Sequence, residues 1–179
     1  MSAPTNMTAE TLNALKGWPS MAAVDFQAKL DPTIAVRVPA GSCVRLSSTL
    51  TFLLGVGNLF AMPMFTFQAS DAADVSNSGG NPATVAGAWV PIAPVGYINA
   101  LVAIGAYELV STSFDTTANF VPNSPVTSPT TGANAGLLTL GVAGTNTICG
   151  VVSRGVVNNG YGTNALAFWP VFLPPAAQA

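Results

Sequence analysis

The chain contains no histidine, and only 7% of its 179 residues are charged. An average soluble domain carries roughly 25% charged residues. Without histidine, the sequence lacks the usual general base at neutral pH, the commonest transition-metal ligand and every histidine-based catalytic triad. We therefore expect that the chain is not an enzyme and that it uses no cofactor.

Positive charge is also scarce. The net charge is −2, and the basic residues are Lys16, Lys29, Arg37, Arg45 and Arg154. Nucleic-acid binding depends on many cationic contacts that release counterions, so a nucleic-acid partner is excluded. After Arg45 the next basic residue is Arg154, and a monomer with so few charges has little to keep its surface in water. We expect neighbouring protein subunits to cover much of that surface.

Candidate metal ligands are few. Cys43 and Cys149 lie far apart and match no metal-ligand spacing, so they are interpreted as buried small hydrophobes, with a disulfide as the alternative. Asp71, Asp74 and Asn77 offer oxygen atoms, but their spacing does not match a calcium-binding loop. We interpret the two acids as solvated loop residues and expect no metal site.

Residues 46–70 are a candidate membrane span, because this stretch is uncharged and about as long as a spanning helix. It nevertheless contains serine, threonine, asparagine and Pro63, which are unfavourable in such a helix. Residues 1–17 are polar and lack the charged start and apolar core of a secretory signal. We expect neither a membrane partner nor a signal peptide, and a membrane protein that uses residues 46–70 stays open as an alternative.

Only the beginning of the chain has a helical pattern. Residues 8–16 place Leu12 and Leu15 on one face, and Gly17 and Pro19 follow as stop signals. A helix this short is marginal alone. We predict an N-terminal arm at residues 1–30 that contains this helix, followed by a single β-rich domain at residues 31–179.

From Ile34 the hydrophobic period changes to two, which indicates strands. The pattern predicts an all-β fold, either a small barrel or a sandwich, with long loops at residues 69–82 and 116–136 and no internal repeat. Asn158, Asn159 and Gly160 are typical of a hairpin turn. Strands are predicted at residues 34–38, 43–46, 49–54, 59–67, 98–104, 107–110, 137–140, 147–152 and 165–172.

Glu108 interrupts the apolar run of residues 101–110. Strand alternation would place it on the exposed face of a half-buried strand. Alternatively it pairs with Arg37, Arg45 or Arg154, and a buried pair of that kind would fix register and subunit orientation more than it would add stability.

Tryptophans are candidates for core packing or for interface anchors, because Trp18, Trp89 and Trp169 each lie beside a proline or a strand end. The residues predicted to contact other subunits are Trp18, Phe26, Arg37, Glu108, Arg154 and Trp169.

The last third of the chain resembles a known family. Residues 114–173 contain an extended segment with a proline turn, a Thr/Gly/Asn loop, the motif Gly150-Val-Val-Ser-Arg-Gly155 and a hairpin that ends in Phe168-Trp-Pro170. This arrangement resembles the head decoration, or cement, proteins of tailed bacteriophages and related small phage structural proteins.

The resemblance implies a small β-rich protein, often trimeric, that binds the outside of an expanded capsid and locks neighbouring copies of the major capsid protein together. It brings no catalytic residues. Residues 34–110 have no counterpart in that family, which leaves a major shell or tail subunit open. A carbohydrate-binding or receptor-binding module that uses the tryptophans is a further alternative.

Overall fold

The computed structural model describes residues 13–14, 23–34, 38–66, 97–103, 108–158 and 163–175. These residues form eleven β-strands and no α-helix, so the predicted all-β fold is confirmed. The strands are β1 (Asn13–Ala14), β2 (Ala23–Lys29), β3 (Cys43–Leu46), β4 (Phe52–Leu54), β5 (Met64–Thr66), β6 (Tyr97–Ala103), β7 (Leu109–Ser111), β8 (Pro125–Thr127), β9 (Thr139–Leu140), β10 (Ile148–Asn158) and β11 (Asn164–Leu173).

The strands form two sheets. The six-stranded sheet has the order β1-β7-β11-β10-β8-β9, and the five-stranded sheet has the order β2-β6-β5-β3-β4. Every neighbouring pair is antiparallel. The sheets pack on each other, because the rings of Phe65 and Phe168 meet edge to face with centroids 5.2 Å apart. Of the two predicted architectures, the protein has two packed sheets rather than one closed barrel.

The N-terminal helix prediction is wrong for Asn13 and Ala14. These two residues pair as β1 with Val110 and Leu109 at the edge of the six-stranded sheet. A nine-residue helix has little stability of its own, so pairing to a sheet edge outweighs its propensity. The rest of residues 8–16 lies outside the described residues. Within the predicted arm, β2 pairs with β6 along its whole length, so these seven residues belong to the sheet.

Most predicted strands occur, with shifted ends. The strand at residues 43–46 has the predicted bounds, whereas β10 and β11 are longer than predicted. Strands β10 and β11 form the predicted hairpin, with Asn158 opposite Asn164. Asn159 and Gly160, which were predicted to form its turn, lie outside the described residues. Ile34 lies outside the strands, and β8 lies inside the stretch predicted to be a loop.

Both faces of the five-stranded sheet are buried. On one face, Cys43 and Phe65 pack with Phe168 in the cluster between the sheets. On the other face, Val44 and Met64 belong to a second cluster. A strand that is covered on both sides is apolar at successive positions rather than at alternate ones. The other buried members of the second cluster are Ala28, Leu30, Ile34, Val38, Phe52 and Ala100.

The two sheets repeat one plan, so the prediction of no internal repeat is wrong at the level of structure. In the first half, residues 23–103, the strand order is β2-β6-β5-β3-β4; in the second half, residues 108–173, it is β7-β11-β10-β8-β9. Numbered within each half, both orders are first, fifth, fourth, second, third. In both halves a residue after the first strand also forms a parallel bridge at the start of the third strand: Leu30 with Phe52 in β4, and Phe114 with Leu138, which directly precedes β9.

The turn before the second strand is the same in both halves. Gly41 N–H donates to the carbonyl of Thr66 at 2.7 Å, and Asn123 N–H donates to the carbonyl of Val152 at 2.8 Å. Gly41 and Asn123 both have positive φ, 81° and 70°. Glycine and asparagine are the residue types that adopt this conformation at low cost, so different residues produce one turn.

A carboxylate closes the preceding turn in each half. Asp31 Oδ1 accepts hydrogen bonds from the Thr33 backbone at 3.0 Å and its hydroxyl at 2.6 Å. Asp115 Oδ1 accepts the same pair from Thr117 at 2.9 and 2.6 Å. The second oxygen of each carboxylate binds a residue near the third strand, namely Thr51 at 3.0 Å or Asn134 at 3.2 Å. Each acid therefore ties its turn to a distant loop.

The halves stack in the same sense. Val44 and Val126 are equivalent, because each pairs the second strand with the fourth, opposite Met64 and Gly150. Val126 lies in the cluster between the sheets, whereas Val44 lies in the cluster on the far side of the five-stranded sheet. The face of the second half that carries Val126 thus packs on the face of the first half that is opposite to the one carrying Val44.

The two capping carboxylates predict how stability depends on pH. Hydrogen bonds from Thr33 and from Thr117 lower the pKa of Asp31 and of Asp115 below the ordinary value of 3.8. A lowered pKa in the folded state contributes stability above the unfolded value, and this contribution is lost as the pH falls through the folded value. We expect Asp31→Asn combined with Asp115→Asn to flatten the loss of stability below about pH 4.

The measurement is urea unfolding at a series of pH values, with each single variant as a control. Each single variant should remove part of the acid dependence, since the two turns are alike. An acid dependence in the double variant as steep as that of the parent protein would contradict this assignment.

Candidate functional site

One end of the molecule exposes apolar side chains without charge. Three segments build it: residues 55–63 between β4 and β5, residues 141–147 between β9 and β10, and the end of β11. None of these segments contains an acidic or basic residue. The exposed large hydrophobics of these three segments, here called the apolar end, are Leu59, Phe60, Met62, Val142 and Leu173.

Hydrogen bonds hold these segments together. Thr147 N–H donates to the carbonyl of Gly57 at 2.7 Å, and the Thr147 hydroxyl donates to the carbonyl of Leu59. The ring of Phe60 meets that of Phe172 edge to face with centroids 5.7 Å apart. Phe60 is nevertheless 77% exposed. The apolar end is therefore a fixed surface rather than a set of unrelated side chains.

The loop of residues 55–63 overlaps a strand predicted from the sequence. Residues 59–62 were part of a predicted strand at 59–67, but β5 begins only at Met64. The signal that was missed is Pro63, since proline cannot donate to a sheet and is common at the start of a strand. The apolar residues before Pro63 therefore lie in a loop, where Leu59, Phe60 and Met62 are exposed.

The second feature is a buried carboxylate. Glu108 is almost completely buried, whereas the side chain of Arg154 is 45% exposed. The guanidinium of Arg154 donates to both carboxylate oxygens, from Nε to Oε1 at 2.9 Å and from one terminal nitrogen to Oε2 at 2.8 Å. Ser153 donates its hydroxyl to Oε1 at 2.5 Å. The interpretation of Glu108 as a half-exposed strand residue is therefore wrong, and the alternative pairing with Arg154 is confirmed.

A bulge in β10 makes this arrangement possible. Val152 pairs with Phe168 and Gly155 with Ala167, so Ser153 and Arg154 are extra residues opposite one step of β11. Such insertions redirect side chains. Gly155 has a φ of 80°, and a Cβ atom there would lie 2.9 Å from the carbonyl oxygen of Phe120. The glycine therefore allows the bulge that aims both donors at Glu108.

The structure describes some of the six residues predicted to contact other subunits, and their contact with other subunits stays a prediction. Glu108 and Arg154 meet, and Trp169 lies beside them, because Leu109 pairs with the neighbouring Phe168. Trp169 is 38% exposed. Phe26 lies in β2 opposite Ala100, and its side chain is outside the part that the structure describes. Trp18 and Arg37 also lie outside the described residues.

Arg45 has a different role from the one considered for it. Its guanidinium donates to the carbonyls of Leu54 and, at 2.7 Å, of Gly55. Partial burial lowers the pKa of Arg45 from its ordinary value. This cation thus fixes the end of β4, from which the loop of the apolar end departs.

Other site types are not found within the described ranges. These residues contain no group of three or more acidic or cysteine side chains that could hold a metal ion. Among the same residues, no helix is long and apolar enough to cross a membrane.

Comparison with known proteins gives no relative: the chain matches no family model, no curated protein and no solved structure. In the part of the chain that the structure describes, the fold and the two features above define an all-β protein of two packed sheets, with an uncharged apolar end and an ion pair whose carboxylate is buried. The function is accordingly inferred from these residues.

The ion pair predicts an order of stability among variants. Arg154→Met should destabilise the fold by on the order of 3 kcal/mol, because it leaves a buried carboxylate without its guanidinium. Glu108→Gln should cost less, about 1–2 kcal/mol, because a neutral amide is cheaper to bury. Arg154→Lys should fall between them, since an ammonium cannot bind both oxygens in a planar fork.

Free energies of unfolding from urea titration would check this order. Ser153→Ala serves as a control that removes one hydrogen bond and no charge. If Glu108→Gln were as destabilising as Arg154→Met, the residual charge would not be the cause.

Proposed function

We propose that the chain is a structural protein of a bacteriophage virion, which binds the outside of the capsid and cements neighbouring shell subunits. The observation that carries the proposal is the apolar end, a fixed and uncharged surface with Phe60 at its most exposed point. Apolar area removed from water contributes on the order of 25 cal/mol per Å². Covering such a surface by another protein is therefore favourable.

The scarcity of charge supports the same proposal. A lone charge buried in an interface costs several kcal/mol, and the three segments of the apolar end carry none. A shell repeats each contact many times, so contacts that are weak individually can hold a particle together.

The resemblance of the last third adds support from another direction. Its two motifs, at residues 150–155 and 168–170, are paired neighbours in the six-stranded sheet, where Gly150 lies opposite Pro170 and Val152 opposite Phe168. The motifs therefore form one structural unit. That unit includes the bulge that holds the ion pair.

In this proposal the partner is the major capsid protein of the same particle, and the chain acts as a homotrimer. Its place is the exterior of the capsid, after assembly in the host cytoplasm. The proposal includes no catalytic step, no cofactor, no nucleic acid and no membrane.

The test is co-sedimentation of the purified protein with empty, expanded capsids of the virus concerned. The parent protein should sediment with the capsids. Phe60→Ser should weaken this binding by about tenfold or more, because burying a phenylalanine side chain is worth about 1.5–3 kcal/mol and each 1.4 kcal/mol is tenfold in affinity.

Leu50→Ser is the matched control. Leu50 is also exposed, at 68%, but lies in the β3–β4 turn at the opposite end of β4. It should leave capsid binding unchanged. Failure of the parent protein to bind any capsid lattice would overturn the proposal. If both variants lost capsid binding equally, the apolar end would not be the surface that binds the capsid. Glycan-array binding by the isolated protein would favour a receptor-binding module instead.

The oligomeric state gives an independent test. Light scattering on the purified protein should yield three times the chain mass of 18.1 kDa. A monomer at all concentrations would contradict the trimer. The Glu108→Gln variant should still give the trimer if the ion pair serves only the fold of one chain.

A further inference from the structure

Two buried thiols from different sheets belong to the same layer of the core. Cys43 lies in β3 of the five-stranded sheet and Cys149 in β10 of the six-stranded sheet. Both are fully buried members of the cluster between the sheets, and neither is in a disulfide. The Cys43 side chain is also the first cause of the raised pKa of the Cys149 thiol, so the two thiols lie close together in this cluster. The preferred interpretation of both as buried small hydrophobes is confirmed, but their proximity has a further consequence.

The backbone holds both cysteines in place. Cys43 N–H donates to the carbonyl of Gly136 at 2.8 Å, and its own carbonyl accepts from Gly55 N–H at 2.9 Å. Cys149 lies at a register irregularity of β10, between Ile148 and Gly150, whose partners are Leu173 and Pro170. Neither thiol can move far from the other while the sheets stay packed.

We propose that Cys43 and Cys149 form a disulfide that joins the two halves of the chain when the protein meets a small-molecule disulfide oxidant. The thiolate of one cysteine attacks a sulfur of the oxidant, which forms a mixed disulfide and releases one small thiol. The thiolate of the other cysteine then attacks the protein sulfur of the mixed disulfide and releases the second small thiol. The oxidant gains two electrons, and the two protons lost by the cysteines end on the two released thiols.

The folded structure controls when this reaction occurs. The thiolate is the reactive form of cysteine, and the Cys43 side chain together with burial raises the pKa of Cys149 well above its ordinary value. The core also excludes the oxidant. The pair is therefore oxidised while the chain folds, or after the sheets separate, and the product is then protected from reduction.

The test is refolding from denaturant with either oxidised or reduced glutathione, followed by intact-mass measurement under non-reducing conditions. The protein refolded with oxidised glutathione should lose the mass of two hydrogen atoms, and a peptic digest should contain the Cys43 and Cys149 peptides joined. Native protein given the same oxidant should react far more slowly. Closing so long a loop should raise the melting temperature by roughly 10 °C over the reduced form.

Cys43→Ala and Cys149→Ala are the matched controls, and each should abolish both the mass change and the gain in melting temperature. The mass measurement on the parent protein needs neither variant to fold. Unchanged mass, stable attachment of glutathione, or a disulfide only between two chains would each overturn the proposal. The capsid-binding tests do not depend on this outcome.

Discussion

The contact between the two sheets is the interaction on which the described structure depends. One layer of apolar side chains, with the rings of Phe65 and Phe168 at its centre, is shared by both halves. Backbone hydrogen bonds join the halves at its margin, since the N–H groups of Val56 and Gly57 donate to the carbonyl of Ser128 at 2.8 and 2.7 Å. Because most strands are short, neither sheet has many hydrogen bonds between its strands. Packing against the other sheet therefore contributes more to the stability of each sheet than the strand propensity of its residues does.

Charge is used sparingly and where it fixes geometry. The buried carboxylate of Glu108 accepts hydrogen bonds from the bulge of β10, where the side chain of Arg154 is still partly exposed to water. A buried pair contributes less to net stability than to the choice of one arrangement over others. Here the arrangement is the register of three adjacent strands, β7, β11 and β10. The two capping aspartates act in the same way on a smaller scale, since each fixes one turn.

The parts of the fold that depend on hydrophobic pattern could be predicted from the sequence. Strand β3 and the hairpin of β10 and β11 are examples, because alternation and Asn-Gly are local signals. Strand β8 could not be found, since Pro125-Val-Thr127 is too short to show a period. The repeat could not be found because what the halves share is backbone conformation: Gly41 matches Asn123, and identity at the matched turns is largely limited to an aspartate, a threonine and a serine. Burial of Glu108 also depends on a bulge 45 residues away in sequence, which no local pattern reports.

Because the halves stack in the same sense, unlike faces of the two sheets pack together, whereas a two-fold arrangement would pack like faces together. A stack of this kind has no internal rule that ends it, so each outer layer needs its own cover, as terminal repeats do in solenoid proteins. The lower layer is closed by the segment of Leu30, Ile34 and Val38, and the upper layer by a separate small cluster at Val110, Ala165 and Ala167. The two outer faces of the stack are therefore covered by different residues. Because these faces are not equivalent, the stack has a direction, and a partner that binds one face would not bind the other.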